Sequence, residues 1–204
     1  MFSDWLEETF GTSLLQRGIL DVAGGRGDIS FELSARRAFR SIVVDPRPVK
    51  LSKTHFRYFR QERKRREKLR TTGPLDGSPR KKREDPLASE VIEQHLCLFD
   101  ESFLASQHAL MEGVGLLVGM HPDEATEPIV DYALREKRPF AVVPCCVFAV
   151  QNPHRRLQNG NAVRTYEDYM CYLQEKAPDV IRCHTLPFEG RNQVLYSFGS
   201  SPPC

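Results

Sequence analysis

Asp21-Val22-Ala23-Gly24-Gly25-Arg26-Gly27-Asp28 is the stretch that decides the fold. A short apolar run, residues 19–23, enters three glycines in four positions. Glycine is needed where a strand turns sharply into a helix and where a ligand meets the backbone. Residues 28–39 then place Ile29, Leu33, Ala35 and Phe39 at roughly helical spacing, with Asp28 as the expected N-cap. Residues 41–45, SIVVD, read as a second strand stopped by Pro46 and Pro48. Asp45 closes that strand 20 residues beyond Gly25, where a carboxylate can accept hydrogen bonds from ribose hydroxyls. A bare left-handed turn with Asp45 as a local cap is the plainer reading. It leaves the coincidence of strand, glycines, helix and acidic strand end unexplained.

The same alternation continues. Residues 93–99 read as a third strand and its exit, and 113–120 (GVGLLVGM) as a fourth, followed by a helix over 123–136. Residues 140–144 make a fifth strand and 165–176 a helix, opened by Thr165 and Asp168 in capping-box spacing. Strands over 180–186 and 194–198 close the chain with no helix between them. Apolar strands separated by helices predict a parallel sheet covered on both faces, here with an antiparallel hairpin at one edge. The expectation is an α/β, doubly wound, seven-stranded Rossmann-like fold, its ligand crevice at the strand C-termini. Residues 1–204 then form a single domain.

Charge is unevenly spread. The chain of 204 residues carries 29 Lys and Arg against 27 Asp and Glu. Residues 57–83 alone hold 12 basic and 3 acidic residues, which leaves the remainder net acidic. Residues 50–70 permit a helix, and 71–86, rich in Gly, Pro and Lys/Arg, read as a flexible loop. Together they suggest a basic insertion over 53–88, after the second strand. The longest nearly uncharged apolar stretch, 139–150, is 12 residues, short of the roughly 18 that a membrane helix needs. MFSDWLEETF has no basic n-region, so neither a signal nor a transit peptide is expected there. The six cysteines make no C-x-x-C pair, so no metal site is expected, and reduced thiols in an intracellular setting are the default.

Residues 21–27 lack the third glycine of the dinucleotide fingerprint G-x-G-x-x-G. They resemble instead motif I of class I S-adenosylmethionine-dependent methyltransferases, [DE]-x-G-x-G-x-G. Asp21, Gly25 and Gly27 match, and Ala23 stands at the first glycine. The resemblance implies S-adenosylmethionine as cofactor, lined by Asp21, Ala23, Gly25 and Gly27. Asp45 would hold the ribose and Asp100 the adenine, although Asp100 also reads as a helix cap. His121-Pro122-Asp123-Glu124-Ala125-Thr126-Glu127 and Cys145-Cys146 narrow the resemblance. They are similar to K-H-x-C-G-x-A-T-D and C-C-H-H in the subgroup that includes acceptor-stem tRNA 2′-O-methyltransferases. The Cys-Gly of the first motif is Asp123-Glu124 here, and the histidines of the second are Val147-Phe148.

His121 and Asp123 follow the fourth strand, at the point where this fold presents the transferred methyl group. A base there serves an acceptor that carries a proton, such as a hydroxyl. The alternative is a helix start, with Asp123 capping. Cys145 and Cys146 read as buried thiols at a strand end, as acceptor-site lining or, last of the three because no partner His or Cys stands at ligand spacing, as metal ligands. The basic segment, Arg63, Lys64, Arg65 and Arg66 above all, suits phosphate neutralisation, so RNA or a ribonucleoprotein is the expected partner. A solvated charged helix or a nuclear localisation signal is the alternative. His55, Phe56, Tyr58 and Phe59 could stack on unpaired bases, or Phe56 and Phe59 could anchor the helix. The expected function is RNA methylation. A non-catalytic RNA- or ribonucleoprotein-binding assembly factor on the same fold is the other candidate.

Overall fold

Ser41, Ile42, Val43 and Val44 are all buried, so the strand they form, β2 (Ser41–Val44), needs a neighbour on each edge and a layer on each face. The computed structural model, which describes residues 1–70 and 92–199, supplies both. The expected loop at 71–86 lies outside the described residues. The other strands are β1 (Ile19–Val22), β3 (Glu93–His95), β4 (Leu116–Met120), β5 (Phe140–Val143), β6 (Arg182–Thr185) and β7 (Gln193–Ser197). Among the described residues they make one sheet in the order β3-β2-β1-β4-β5-β7-β6. Pairing is parallel from β3 to β5, and β7 runs antiparallel to both β5 and β6. The expected closing hairpin is there, with β6 on the outer edge.

Alternate strand residues enter opposite layers. Leu20, Val22, Ile42, Leu117 and Val142 join one core. It is covered by α4 (Glu101–Ser106), α5 (His108–Gly113), α6 (Thr126–Arg135) and α7 (Tyr166–Glu175). Ile19, Leu116, Val118, Val143 and Val194 join the other core, which α1 (Phe2–Gln16) covers with Phe2, Trp5, Leu6 and Phe10. The sequence pattern predicts neither α1 nor the pair α4 and α5. In α1 the apolar spacing is interrupted at Gly11, whose φ of 74° kinks the helix. Arg37, in the segment that precedes β2, ties α1 to that segment by pairing with Asp4 and with Glu7.

The glycine turn leads into α2 (Asp28–Phe31), which passes into a π turn over Glu32–Arg36 and stops before the expected residue 39. Gly27, not Asp28, is the N-cap. Asp28 is the first helical residue, and its carboxylate is taken by Arg26 and His55. Parallel pairing of β2 with β3 requires a crossover, and α3 (Lys53–Arg70) lies in it. In α7 the capping box forms as expected, with Asp168 N 3.1 Å from Thr165 Oγ1 and Thr165 N 2.9 Å from Asp168 Oδ2. Among the described residues no helix is long and apolar enough to cross a membrane.

Leu6 is fully buried between α1 and the sheet. Leu6→Ala should cost about 2–5 kcal/mol of unfolding free energy in urea titrations. A loss below about 1 kcal/mol would show that α1 does not pack as described.

Candidate functional site

The C-terminal ends of β1, β2, β4 and β5 converge on one edge of the sheet. The chain leaves β1 and β4 toward opposite sides there, the switch point at which doubly wound sheets bind ligands. Ala23 N donates to Val44 O at 2.8 Å, so the glycine turn starts level with Asp45. Ala23 takes a left-handed φ of 53°, a conformation that favours glycine and explains why the related motif carries glycine at this position. The three glycines of the turn serve different ends. A Cβ on Gly24 would lie 2.7 Å from Asp21 Oδ2, and one on Gly27 would lie 2.9 Å from Val49 Cγ1. A Cβ on Gly25 would meet nothing described closer than Ala23 O at 4.0 Å, so Gly25 is the one glycine of the turn whose Cβ direction is unobstructed.

Asp45 fixes that glycine. Its Oδ2 accepts from Gly25 N at 2.9 Å, and its Oδ1 accepts from Arg47 N at 2.8 Å. The Arg47 guanidinium adds contacts at 3.2 and 3.3 Å. Burial works to raise the Asp45 carboxyl, but Arg47 and the two amides outweigh it and hold it below the ordinary carboxylate range. Arg47, which no sequence motif singles out, thus occupies the lone pairs assigned to a ribose. The Arg47 side chain is 74% exposed and that of Asp45 only 1%, so Arg47 lies over the carboxylate on the solvent side and must move before a ligand can reach it. Gln94 braces the loop by donating to Arg47 O at 2.7 Å and accepting from Val49 N at 2.9 Å.

Asp21 lies beneath the turn, 1% exposed. Its Oδ2 accepts from Ser30 Oγ at 2.7 Å, and its Oδ1 has no partner among the described residues. Burial pushes this carboxyl up to about 6.

On the other side of the crevice, His121 N donates to Val143 O at 3.0 Å and locks the ends of β4 and β5 together. His121 and Asp123 are both left-handed, with φ of 55° and 50°. Such backbone costs about 1–3 kcal/mol per residue and concentrates at functional sites. Desolvation pushes the His121 imidazole below its ordinary value, against the pull of Asp123, so it stays neutral in neutral solution. Asp123 does not cap α6, which is entered through a 3-10 turn, Asp123–Ala125, without a side-chain cap. Its Oδ1 accepts instead from Cys145 Sγ at 3.1 Å. Burial, then Asp123, pushes the Cys145 thiol up to about 12, so it is no thiolate nucleophile. Tyr166 also borders this side. Its hydroxyl is buried and has no partner among the described residues, and the Arg191 guanidinium lies 3.8 Å over its ring.

Other motif residues do structural work. Asp100 caps α4 by accepting from Phe103 N at 2.9 Å. Thr126 is fully buried, and its Oγ1 donates to Asp123 O at 2.8 Å. Glu127 meets Arg155 at 2.6 Å and Lys176 at 2.7 Å, in a largely buried network that ties residues 147–163 to α6 and α7. Arg63, Lys64 and Arg65 are exposed on α3; the Arg66 side chain lies outside the described residues. His55 stacks on Phe31 at 4.0 Å, Tyr58 Oη donates to Ala35 O at 3.0 Å, and Phe59 meets the edge of Phe31 at 5.5 Å. These aromatics anchor the start of α3 beside the glycine turn.

No family model matches the chain, and no curated protein does. The structure is similar to a METTL16 MTase domain (crystal form 2), with a TM-score of 0.43 and 12% identity. That match covers 96% of this chain, which spans 65% of the other's length. The class follows from the molecule's own topology. A doubly wound sheet with β7 reversed between β5 and β6 is the seven-stranded Rossmann-like methyltransferase fold.

The Asp21 carboxyl titrates higher in the folded chain than in the unfolded one. Its contribution to stability is therefore fully present below about pH 3.8 and is lost as pH rises through about 6. Asp21→Asn should remove that part of the pH dependence in denaturation curves recorded between those values. An unchanged slope would contradict the burial described.

Proposed function

We propose that the chain is an S-adenosylmethionine-dependent methyltransferase that acts on RNA. The observation that carries the cofactor half is the Gly25 amide held on Asp45 at the mouth of the crevice, with open space above the glycine. The residues fit the group. Asp45 is an ionised acceptor for a ribose diol once Arg47 swings outward, while Asp21, buried beneath the turn, supports the glycine backbone from below. Bound there, S-adenosylmethionine supplies an electrophilic methyl group.

The residues of the chain do the rest by position. Alignment of an acceptor for in-line displacement accounts for much of the rate in such a transfer. His121, kept neutral, can take the proton of a hydroxyl acceptor as its oxygen attacks. A hydroxyl is the kind of acceptor that such a base serves. The exposed basic residues of α3 support the RNA half. Their helix starts beside the glycine turn, since His55 Nε2 lies 3.2 Å from Asp28 Oδ1.

The second reading, a non-catalytic RNA-binding factor, is favoured by the hold of Arg47 on Asp45. Calorimetry separates the two. The chain should bind S-adenosylmethionine, and Asp45→Ala should weaken binding by about 1.5–3 kcal/mol, the worth of a charged hydrogen-bond acceptor. Arg47→Ala should bind at least as tightly as the parent. No heat from the parent and none from Arg47→Ala would support the non-catalytic factor.

RNA binding should be salt-dependent. Replacing Arg63, Lys64 and Arg65 with Gln should reduce the slope of log affinity on log salt by about 0.7 for each phosphate that is no longer neutralised. An unchanged slope would place the RNA surface elsewhere.

A further inference from the structure

The sequence suggests no metal site because no two cysteines or histidines stand at ligand spacing. The fold changes that by bringing a third donor from the neighbouring strand. Asp123 follows β4, and Cys145 and Cys146 follow β5. The pairing of Met120 with Val143 sets the two segments side by side. One carboxylate oxygen and two sulfurs lie within 4.8 Å of one another, with Asp123 Oδ1 and Cys145 Sγ at 3.1 Å.

We propose that Asp123, Cys145 and Cys146 form a three-ligand site for a thiophilic divalent cation, zinc being the probe of choice. Two sulfurs and an oxygen make a donor set suited to zinc rather than to magnesium or calcium, which take oxygen. Tetrahedral bonds of about 2.3 Å to sulfur and 2.1 Å to oxygen put ligand atoms roughly 3.6–3.8 Å apart. The group lies within reach of that shape. Asp123 and Cys146 are exposed and have room to adjust, while Cys145 is half-buried.

The backbone holds the donors in place. Asp123 keeps its left-handed φ of 50°, and its carbonyl accepts from the buried Thr126 hydroxyl at 2.8 Å. Binding releases the two thiol protons to solvent, so two thiolates and one carboxylate face the dication. Arg47, paired with Asp45, also lies close enough to feel the Asp123 charge. Three protein ligands leave a fourth position for water or a substrate atom, the pattern of open rather than closed zinc sites. Cation binding here requires no methyl transfer, and the metal itself is the readout.

The test is titration of the full, reduced chain with Co(II), followed by displacement with Zn(II). One equivalent should bind with a thiolate-to-cobalt charge-transfer band. Cys145→Ser and Cys146→Ser should each weaken zinc binding on the order of 100-fold, and Asp123→Asn at least about 10-fold. Cys171→Ser, on the exposed face of α7, should leave binding unchanged. Each variant is checked for folding by far-ultraviolet circular dichroism. The proposal fails if the folded Cys145→Ser/Cys146→Ser double variant holds zinc as the parent does. It fails equally if the cobalt complex lacks the thiolate band, or if Cys171→Ser removes it. Loss of zinc with undiminished S-adenosylmethionine binding would leave the reading of the cofactor site intact.

Discussion

The crevice depends on one hydrogen bond, from the Gly25 amide to the Asp45 carboxylate across the ends of β1 and β2. A charge-assisted bond of this kind is stronger than a neutral one and carries direction. It forms only if β1 and β2 pair in their observed register and if residue 25 adopts a left-handed φ, here 55°. The buried Asp21 beneath the turn and the left-handed Ala23 before it meet the same demand. The turn is costly in isolation and is maintained by the sheet that surrounds it.

Strain and charge recur on the other side, with different chemistry. His121 and Asp123 take left-handed backbone where β4 ends, and Asp123 reaches across to Cys145. Gly119 makes the turn possible, because a Cβ there would lie 2.8 Å from Pro122. Behind it, Glu127, Arg155 and Lys176 form a network that secures α6 against α7. The Gly25–Asp45 turn and a strained histidine, aspartate and thiol cluster thus share one sheet edge.

Much of this was legible in the sequence, because glycine spacing and buried strands have local causes. Gly24, Gly25, Gly27 and Asp45 could be found from the strand–turn–helix–strand order alone. Arg47 could not, since a cation two residues past a strand carries no periodic signal. α1 was hidden by Gly11, which breaks the apolar pattern although tertiary packing and Arg37 hold the helix. The Asp123 to Cys145 contact joins residues 22 apart that only parallel strand pairing brings together. The aromatics of α3 read two ways in sequence, and the Phe31 contacts choose anchoring for His55, Tyr58 and Phe59. The uneven charge acquires a place, since the basic helix starts beside the glycine turn.

The most direct measurement is transfer of a labelled methyl group from S-adenosylmethionine to fractionated RNA and protein pools, with Asp45→Ala as the control. The account expects label in an RNA fraction, lost with Asp45→Ala and undiminished by Arg47→Ala. Label confined to protein, or equal label from the Asp45→Ala variant, would contradict it.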